Sequence, residues 1–284
     1  MMAEIDGYYV AAQIRLTRQL HKGSFLIVEG DTDARVFGRF VSPDCHIEVG
    51  FGKANVIDAL DRLEDEGFQG AVGVIDADFD RILGVRYDVE NLCVTDLHDF
   101  DLTIFLSQAL DRYIAEYADP DLLKRHFNSD VNSLRVRLLQ ASCPIGYCRY
   151  VSAQFDLMLY FRDVRYDQYL DEASLHVDFA ALHVELIRRS DTRCTVDSLA
   201  AHCRGEAGRG HDVGQLANGH DVATVLGVAM RSLIGNKKYQ QTWSREVEGA
   251  LRLAFDWDCF KATKLHDCLR AWEKSNPHFR VLRQ

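Results

Sequence analysis

The stretch FLIVEGDTD, residues 25–33, runs four apolar residues into Glu29, and AVGVIDADFD, residues 71–80, runs an apolar segment into Asp76, Asp78 and Asp80. Carboxylates that close two separate apolar runs suit hard divalent cations, because Mg2+ and Mn2+ take oxygen ligands. Two such ions roughly 3.5–4 Å apart activate water and stabilise the leaving oxygen in phosphoryl chemistry. In an extended DADFD stretch alternate side chains point the same way. Asp76 and Asp78 are therefore expected to share a face and a metal, with Asp80 joining them if the chain stays extended. Glu29 is expected to hold a second ion or move a proton. Each acid also has a plain structural reading. Glu29 can accept hydrogen bonds at a helix N-terminus, Asp76 and Asp78 can cap the next helix, and Asp31 reads as a cap. Their joint placement at strand ends, together with Asp101, favours the metal.

An alternation of strands and helices must position these residues. SFLIVEG reads as a buried strand ended by Gly, and DTDARVFGRFV as a helix with Asp31 or Asp33 as N-cap and Val36, Phe37 and Phe40 on one face. CHIEVG alternates as a second strand. KANVIDALDRLEDEGF places Val56, Ile57, Leu60 and Leu63 on a helix that Gly67 can close. GAVGVIDAD is a third strand, apolar enough for a parallel sheet covered on both faces, and NLCVTD a fourth. DLTIFLSQALDRYIAEYA, residues 101–118, reads as one helix. The expected fold is α/β, a parallel sheet flanked by helices, whose functional crevice lies at the carboxyl ends of the strands. Glu29, the loop from Gly50 to Asn55, Asp76 and the segment Asp96 to Asp101 all fall at such ends.

Beyond about residue 118 the pattern turns mainly helical. DPDLLKRHF, VNSLRVRLLQAS, DFAALHVELIRRS, DVATVLGVAMRSLIG and residues 244–275 all read as helices. YVSAQFDLMLYFRDVRYDQYL is rich in aromatic and β-branched residues that fit strand or helix. Its YFRDVRYDQY aromatics read first as core, although aromatics of this kind also stack on bases. RRSDTR, residues 188–193, reads as a solvated helix end, with Arg188 and Arg189 available to a nucleic-acid backbone. The expected domains are 1–118 and 119–284.

The 284 residues carry a net charge of −10, with 47% hydrophobic and 27% charged residues. That composition is ordinary for a globular chain, and the acidic balance argues against a passive nucleic-acid coat. It leaves room for an enzyme whose carboxylates are neutralised by metal. The amphipathic N-terminal stretch lacks a signal pattern, and no run approaches the roughly 18–20 apolar residues of a membrane span. A cytoplasmic location with no membrane partner is expected. In that compartment the eight cysteines read as isolated small core residues. Cys143 with Cys148, or Cys194, His202 and Cys203, lack the paired Cys-x-x-Cys spacing of a structural zinc site.

A strand ending in Val-Glu-Gly with an acid four positions after the Glu (Asp33), followed by an apolar strand ending in Asp-x-Asp-x-Asp, resembles a Toprim domain. That domain is shared by topoisomerases, bacterial primases and nucleases of the overcoming-lysogenisation-defect type. GFGKANVIDAL adds a Gly-rich loop with Lys and Asn, and the likeness covers about residues 24–110. Among Toprim proteins the chain most resembles the stand-alone Toprim-like nuclease subunit of PARIS-type phage-defence systems and its relatives. These pair the domain with a helical C-terminal half and often an ABC-type ATPase partner. TDLHDFDLTIF supplies Asp101, with Asp99 beside it, where the family places an acid, more often Glu. NGHDVATVLG, with His220 and Asp221 opening a helix, also looks like a family feature, without a derived role.

The resemblance implies a Toprim (Rossmann-like) sheet and Mg2+- or Mn2+-dependent cleavage of RNA, tRNA in particular, or DNA, by an anti-phage effector. It implies Glu29 as metal ligand or general acid/base, Asp76 and Asp78 as ligands, and Asp80 and Asp101 as further acids. Lys53 would contact a phosphate or the developing charge. Expected partners are nucleic acid, an ABC-type ATPase and a second copy of the chain. The rival reading is a non-catalytic metal-binding module docking on such an ATPase. Primer synthesis ranks lower, because no zinc-binding or helicase-linked segment accompanies the domain.

Overall fold

The computed structural model describes residues 6–162 and 164–284. In chain order it runs α1 Gly7–Arg18, β1 Ser24–Val28, α2 Asp31–Phe37, β2 Cys45–Val49, α3 Lys53–Asp65, β3 Ala71–Ile75, α4 Asp80–Leu83 and β4 Leu92–Val94. Helices follow: α5 Phe100–Leu106, α6 Gln108–Tyr117, α7 Pro120–Phe127, α8 Val131–Gln154, α9 Phe179–Arg188, α10 Val196–Ala207 and α11 Val213–Leu216. The last are α12 Gly219–Ser232, α13 Ser244–Ala254, α14 Trp257–Lys261 and α15 Lys264–Ser275.

The chain forms two compact units, and the division is discontinuous. The first takes the chain up to Ala77, Arg86–Asp96 and Trp257–Gln284; the second takes Asp78–Val85 and Leu97–Asp256. A cut at residue 118 therefore does not describe the division. The last 28 residues belong with the sheet, and α5 and α6 belong with the helices that follow them.

In the first unit all four strands are parallel, in the order β2-β1-β3-β4. The expected strands are all present. β1 and β3 are fully buried, as their unbroken apolar runs require. Val10, Ala11 and Ile14 of α1 join Val56, Leu60 and Leu63 of α3 against Phe25, Ile27 and Ile75. A side chain at Gly73 would meet Leu60 Cδ1 at 2.6 Å, so α3 packs closely on β3. Gly67, at φ 67°, ends α3. Its amide reaches Glu64 O and that of Phe68 reaches Leu63 O, both at 2.8 Å, the bond pair of a Schellman motif.

The C-terminal segment completes this unit. Phe260 stacks on Phe40 with centroids 4.9 Å apart, Val41 bridges Leu282, and Trp272 Nε1 donates to Asn91 at 2.8 Å. Cys93 of β4 and Cys268 of α15 are joined by a disulfide. This corrects the reading of eight isolated cysteines: residues 175 apart in sequence become neighbours only in the fold.

The second unit is helical. Residues 101–118 do not form one helix. Ser107 turns to ψ −176° and caps α6 by accepting from Ala109 N, because a serine hydroxyl competes well for a helix N-terminus. Residues 244–275 likewise divide into α13, α14 and α15. α8 carries Pro144 in its interior and continues to Gln154. The aromatic stretch 150–170 begins as the last residues of α8, and among its remaining described residues a 3-10 turn forms at Tyr166–Tyr169, with Tyr166 buried. Among the described residues no helix is long and apolar enough to cross a membrane.

Candidate functional site

Glu29 and Asp76 directly follow β1 and β3, which are sheet neighbours in a register that pairs Ile27 with Gly73. Their strands therefore end side by side. Glu29 Oε1 accepts a hydrogen bond from the Asp76 backbone amide at 2.7 Å, and both residues are half-buried. An amide donor fixes the carboxylate while leaving its charge in place. The β2–α3 loop meets the same point, where Gly50 N reaches Val28 O at 2.8 Å and Gly52 N reaches Glu29 O at 2.9 Å. Gly52, at φ 119°, adopts a backbone that excludes other residues, and Phe51 beside it sits at φ 59°. A side chain at Gly50 would press on Val56 Cγ2 at 2.5 Å. The glycines thus let this loop lie against the end of β1.

Lys53 opens α3 immediately after that loop, with its ammonium 5.8 Å from the centre of the Tyr87 ring. The expected caps of α2 resolve differently. Gly30 is the N-cap and the Asp33 carboxylate accepts its amide at 3.1 Å, while Asp31 is exposed in the first turn. Asp96 accepts from the amides of Lys264 and Leu265 at 2.8 and 2.9 Å, at the start of α15.

The remaining expected acids lie in the second unit. The DADFD stretch does not stay extended. Asp78 is at φ 47°, its amide donates to His98 O at 2.6 Å, and Asp80 begins α4. The alternation that would have aligned Asp80 with Asp76 and Asp78 is broken at this turn. Asp101 is clasped by Arg252, whose Nε reaches Oδ1 at 2.8 Å and whose Nη2 bonds Oδ2. The guanidinium cancels the charge a cation would have used. Asp99 caps α5 through Leu102 N at 2.6 Å and also takes Gly219 N, the first residue of α12, at 2.8 Å. Burial pushes its pKa up to about 7 against the pull of those two amides.

His98 emerges here, and the expected pair His220 and Asp221 gain partners. His98 is buried, with Nδ1 3.1 Å from the Gln215 carbonyl. That oxygen only accepts, so Nδ1 carries the proton. Burial lowers its pKa, with the Asp78 charge opposing. Its only trace in the sequence was its place inside TDLHDFD. His220 meets Glu248 at 2.7 Å, and the buried Asp221 is held by Arg149 at 2.8 and 3.0 Å.

A cavity of about 710 Å³ opens beside that last pair. Among the described residues its wall holds Arg149, Arg162, Arg165, Arg231 and Arg245 with Asp167 and Asp221; Arg149 pairs with Asp221, Arg165 and Arg231 with Asp167, Arg231 also with Glu172, and Arg245 with Glu246. Arg165 and Arg231 lie over the Tyr239 ring at 5.4 and 4.8 Å, and Arg245 over Trp243 at 5.1 Å. Phe161 and Tyr166 of the aromatic stretch contribute to this wall, so that stretch serves a cavity as well as the core.

Compared with known proteins, the chain matches no protein-family model and no curated protein sequence.

Proposed function

We propose that this protein is a divalent-metal-dependent nuclease of the Toprim type, with Glu29 and Asp76 as its central carboxylates. The observation that carries the reading is the bond from the Asp76 amide to Glu29 Oε1, which joins the carboxyl ends of two adjacent parallel strands. Crevices of open α/β sheets form at such ends. The donor set is oxygen only and half-buried, which fits Mg2+ or Mn2+ and not a softer ion.

Glu29 and Asp76 would hold the ion, which when bound supplies water activation and charge stabilisation. Glu29, oriented by the Asp76 amide, is also the residue to accept or return a proton. Lys53, at the start of α3, balances charge on a phosphate. Asp78 and Asp80 enter as further acids of the same chain segment and are judged by substitution. The substrate is nucleic acid, RNA (tRNA first) or DNA. The arginines and aromatic rings of the cavity in the second unit are the groups a nucleic acid would pair with and stack on, in competition with the carboxylates already bound to four of those arginines. Action as an anti-phage effector, with an ABC-type ATPase partner and as a homo-oligomer, completes the proposal.

The test is calorimetric titration of Mn2+ into wild type and Asp76→Asn, alongside cleavage of tRNA and DNA by wild type and Glu29→Gln. Ion binding that disappears in Asp76→Asn, with Mn2+-dependent cleavage that disappears in Glu29→Gln, supports the proposal. Ion binding without cleavage of either nucleic acid, ATPase partner included, points to a metal-binding docking module. Equal binding in both proteins removes the site.

A further inference from the structure

We infer that Cys148 of α8, His183 of α9 and Cys203 of α10 form a binding site for a thiophilic divalent cation, Zn2+ foremost, whose fourth coordination position opens into the adjoining cavity. The two sulfurs lie 3.8 Å apart, and a ring nitrogen of His183 lies within 4.8 Å of both. A tetrahedral zinc with Zn–S bonds of ~2.3 Å sets its two sulfurs ~3.8 Å apart. The sulfur separation, which as free thiols is a hydrogen-bond contact, also matches the edge of a zinc tetrahedron and is far from the ~2.0 Å of a disulfide.

Burial and hydrogen bonding point the same way. Cys148 is 0%, His183 5% and Cys203 8% exposed. His183 Nε2 is buried with no hydrogen-bond partner of ordinary geometry among the described residues, while the His183 ring acts on the Cys203 thiol beside it. Buried imidazole nitrogens are ordinarily satisfied, and a thiol pair packed for its own sake would not need a third polar residue turned toward it. Two sulfurs and an imidazole select a soft or borderline ion over Mg2+. This site is therefore chemically distinct from the carboxylates of the first unit and does not depend on the nuclease reading.

The cavity, about 520 Å³, is lined by His183 and Cys203 with Gln140, Cys143, Tyr147 and Phe179 among its walls. Cys143 Sγ donates to the Leu139 carbonyl at 3.2 Å, so its thiol is engaged along its own helix. Three protein ligands with an open fourth position is the arrangement of zinc sites that bind water or a small ligand, whereas purely structural sites close with four.

The full chain would be stripped with chelator under reductant and titrated with Co2+ and Zn2+. The expected result is one ion per chain, a thiolate-to-Co2+ charge-transfer band abolished by Zn2+, and a Zn2+-induced rise in melting temperature. Cys148→Ser combined with Cys203→Ser loses the band, His183→Ala weakens Zn2+ binding by at least ~100-fold, the upper reach of outer-ligand losses, and Cys143→Ser retains binding. The wild-type cobalt spectrum needs no variant to fold. Absence of the thiolate band in wild type overturns the inference, as does retention of full affinity by the double variant. A Cys148–Cys203 disulfide mapped in chain purified without reductant and free of metal overturns it in favour of a redox pair.

Discussion

Two carboxylate arrangements, one in each unit, are held in different ways. In the first unit Glu29 is oriented by a neutral amide from the next strand. In the second, Asp101 and Asp221 are each gripped by an arginine through both oxygens. An amide orients a carboxylate and leaves its charge, whereas a bidentate guanidinium orients it and cancels the charge. An acid held through both oxygens by a guanidinium, as Asp101 and Asp221 are, is thus committed to architecture. Position in the sequence does not distinguish the two cases: Asp101 reads as well as Asp76 until Arg252, 151 residues away, is seen beside it.

That contrast is sharpest in catalysis. Glu29→Gln is expected to lower metal-dependent cleavage by ~10²–10⁴-fold, the range for losing a positioned acid/base, while Asp101→Asn changes it by only a few fold; cleavage of labelled tRNA and DNA measures both. Next in size is stability. Arg149→Ala strands the buried Asp221 and should cost about 3–5 kcal/mol in urea unfolding, whereas Asp76→Asn keeps the backbone amide that Glu29 uses and should cost well under that. Asp96→Ala removes the acceptor for two amides at the start of α15 and should cost about 1 kcal/mol, read by the same unfolding experiment.

The smallest effect concerns pH. The bond to Glu248 raises the His220 pKa above its ordinary 6.5. The pair therefore stabilises fully below that value and loses its contribution as pH rises through the elevated one. Burial opposes ionisation of Glu248, yet His220 and Arg252 hold its pKa below the ordinary 4.5, so its part fades as pH falls through that lowered value. With His220 largely exposed, the total should stay under about 1 kcal/mol. The difference in unfolding midpoint between wild type and Glu248→Gln should be larger below pH 6.5 than well above it, where only the Arg252 pair remains.

The sheet was legible because its signals are local. SFLIVEG, CHIEVG, GAVGVIDAD and NLCVTD each carry their own apolar run, and Gly67 ends α3 by a rule confined to a few residues. The adjacency of Glu29 and Asp76 was legible for the same reason, since both close buried strands. What sequence concealed depends on distant partners or on close competition. Ser107 offered its hydroxyl as a cap inside a good helical pattern and broke it. Asp80 lost its alternation to a left-handed turn at Asp78. The meeting of Cys148, His183 and Cys203 has no spacing signature, because each comes from a different helix and the sulfurs stand 55 residues apart.

The return of residues 257–284 to the first unit bears on the order in which the molecule is made. A ribosome that has finished β4 must synthesise the 160 residues of 97–256 before the segment carrying Phe260, Trp272 and Cys268 is translated. At ~5–20 residues per second that interval lasts ~8–32 s. Throughout it the nascent sheet lacks the aromatic cover over Phe40 and the seam at Val41. The sheet is among the first parts synthesised and the segment that covers Phe40 and Val41 the last, so a chain interrupted before residue 257 is left with that sheet unfinished.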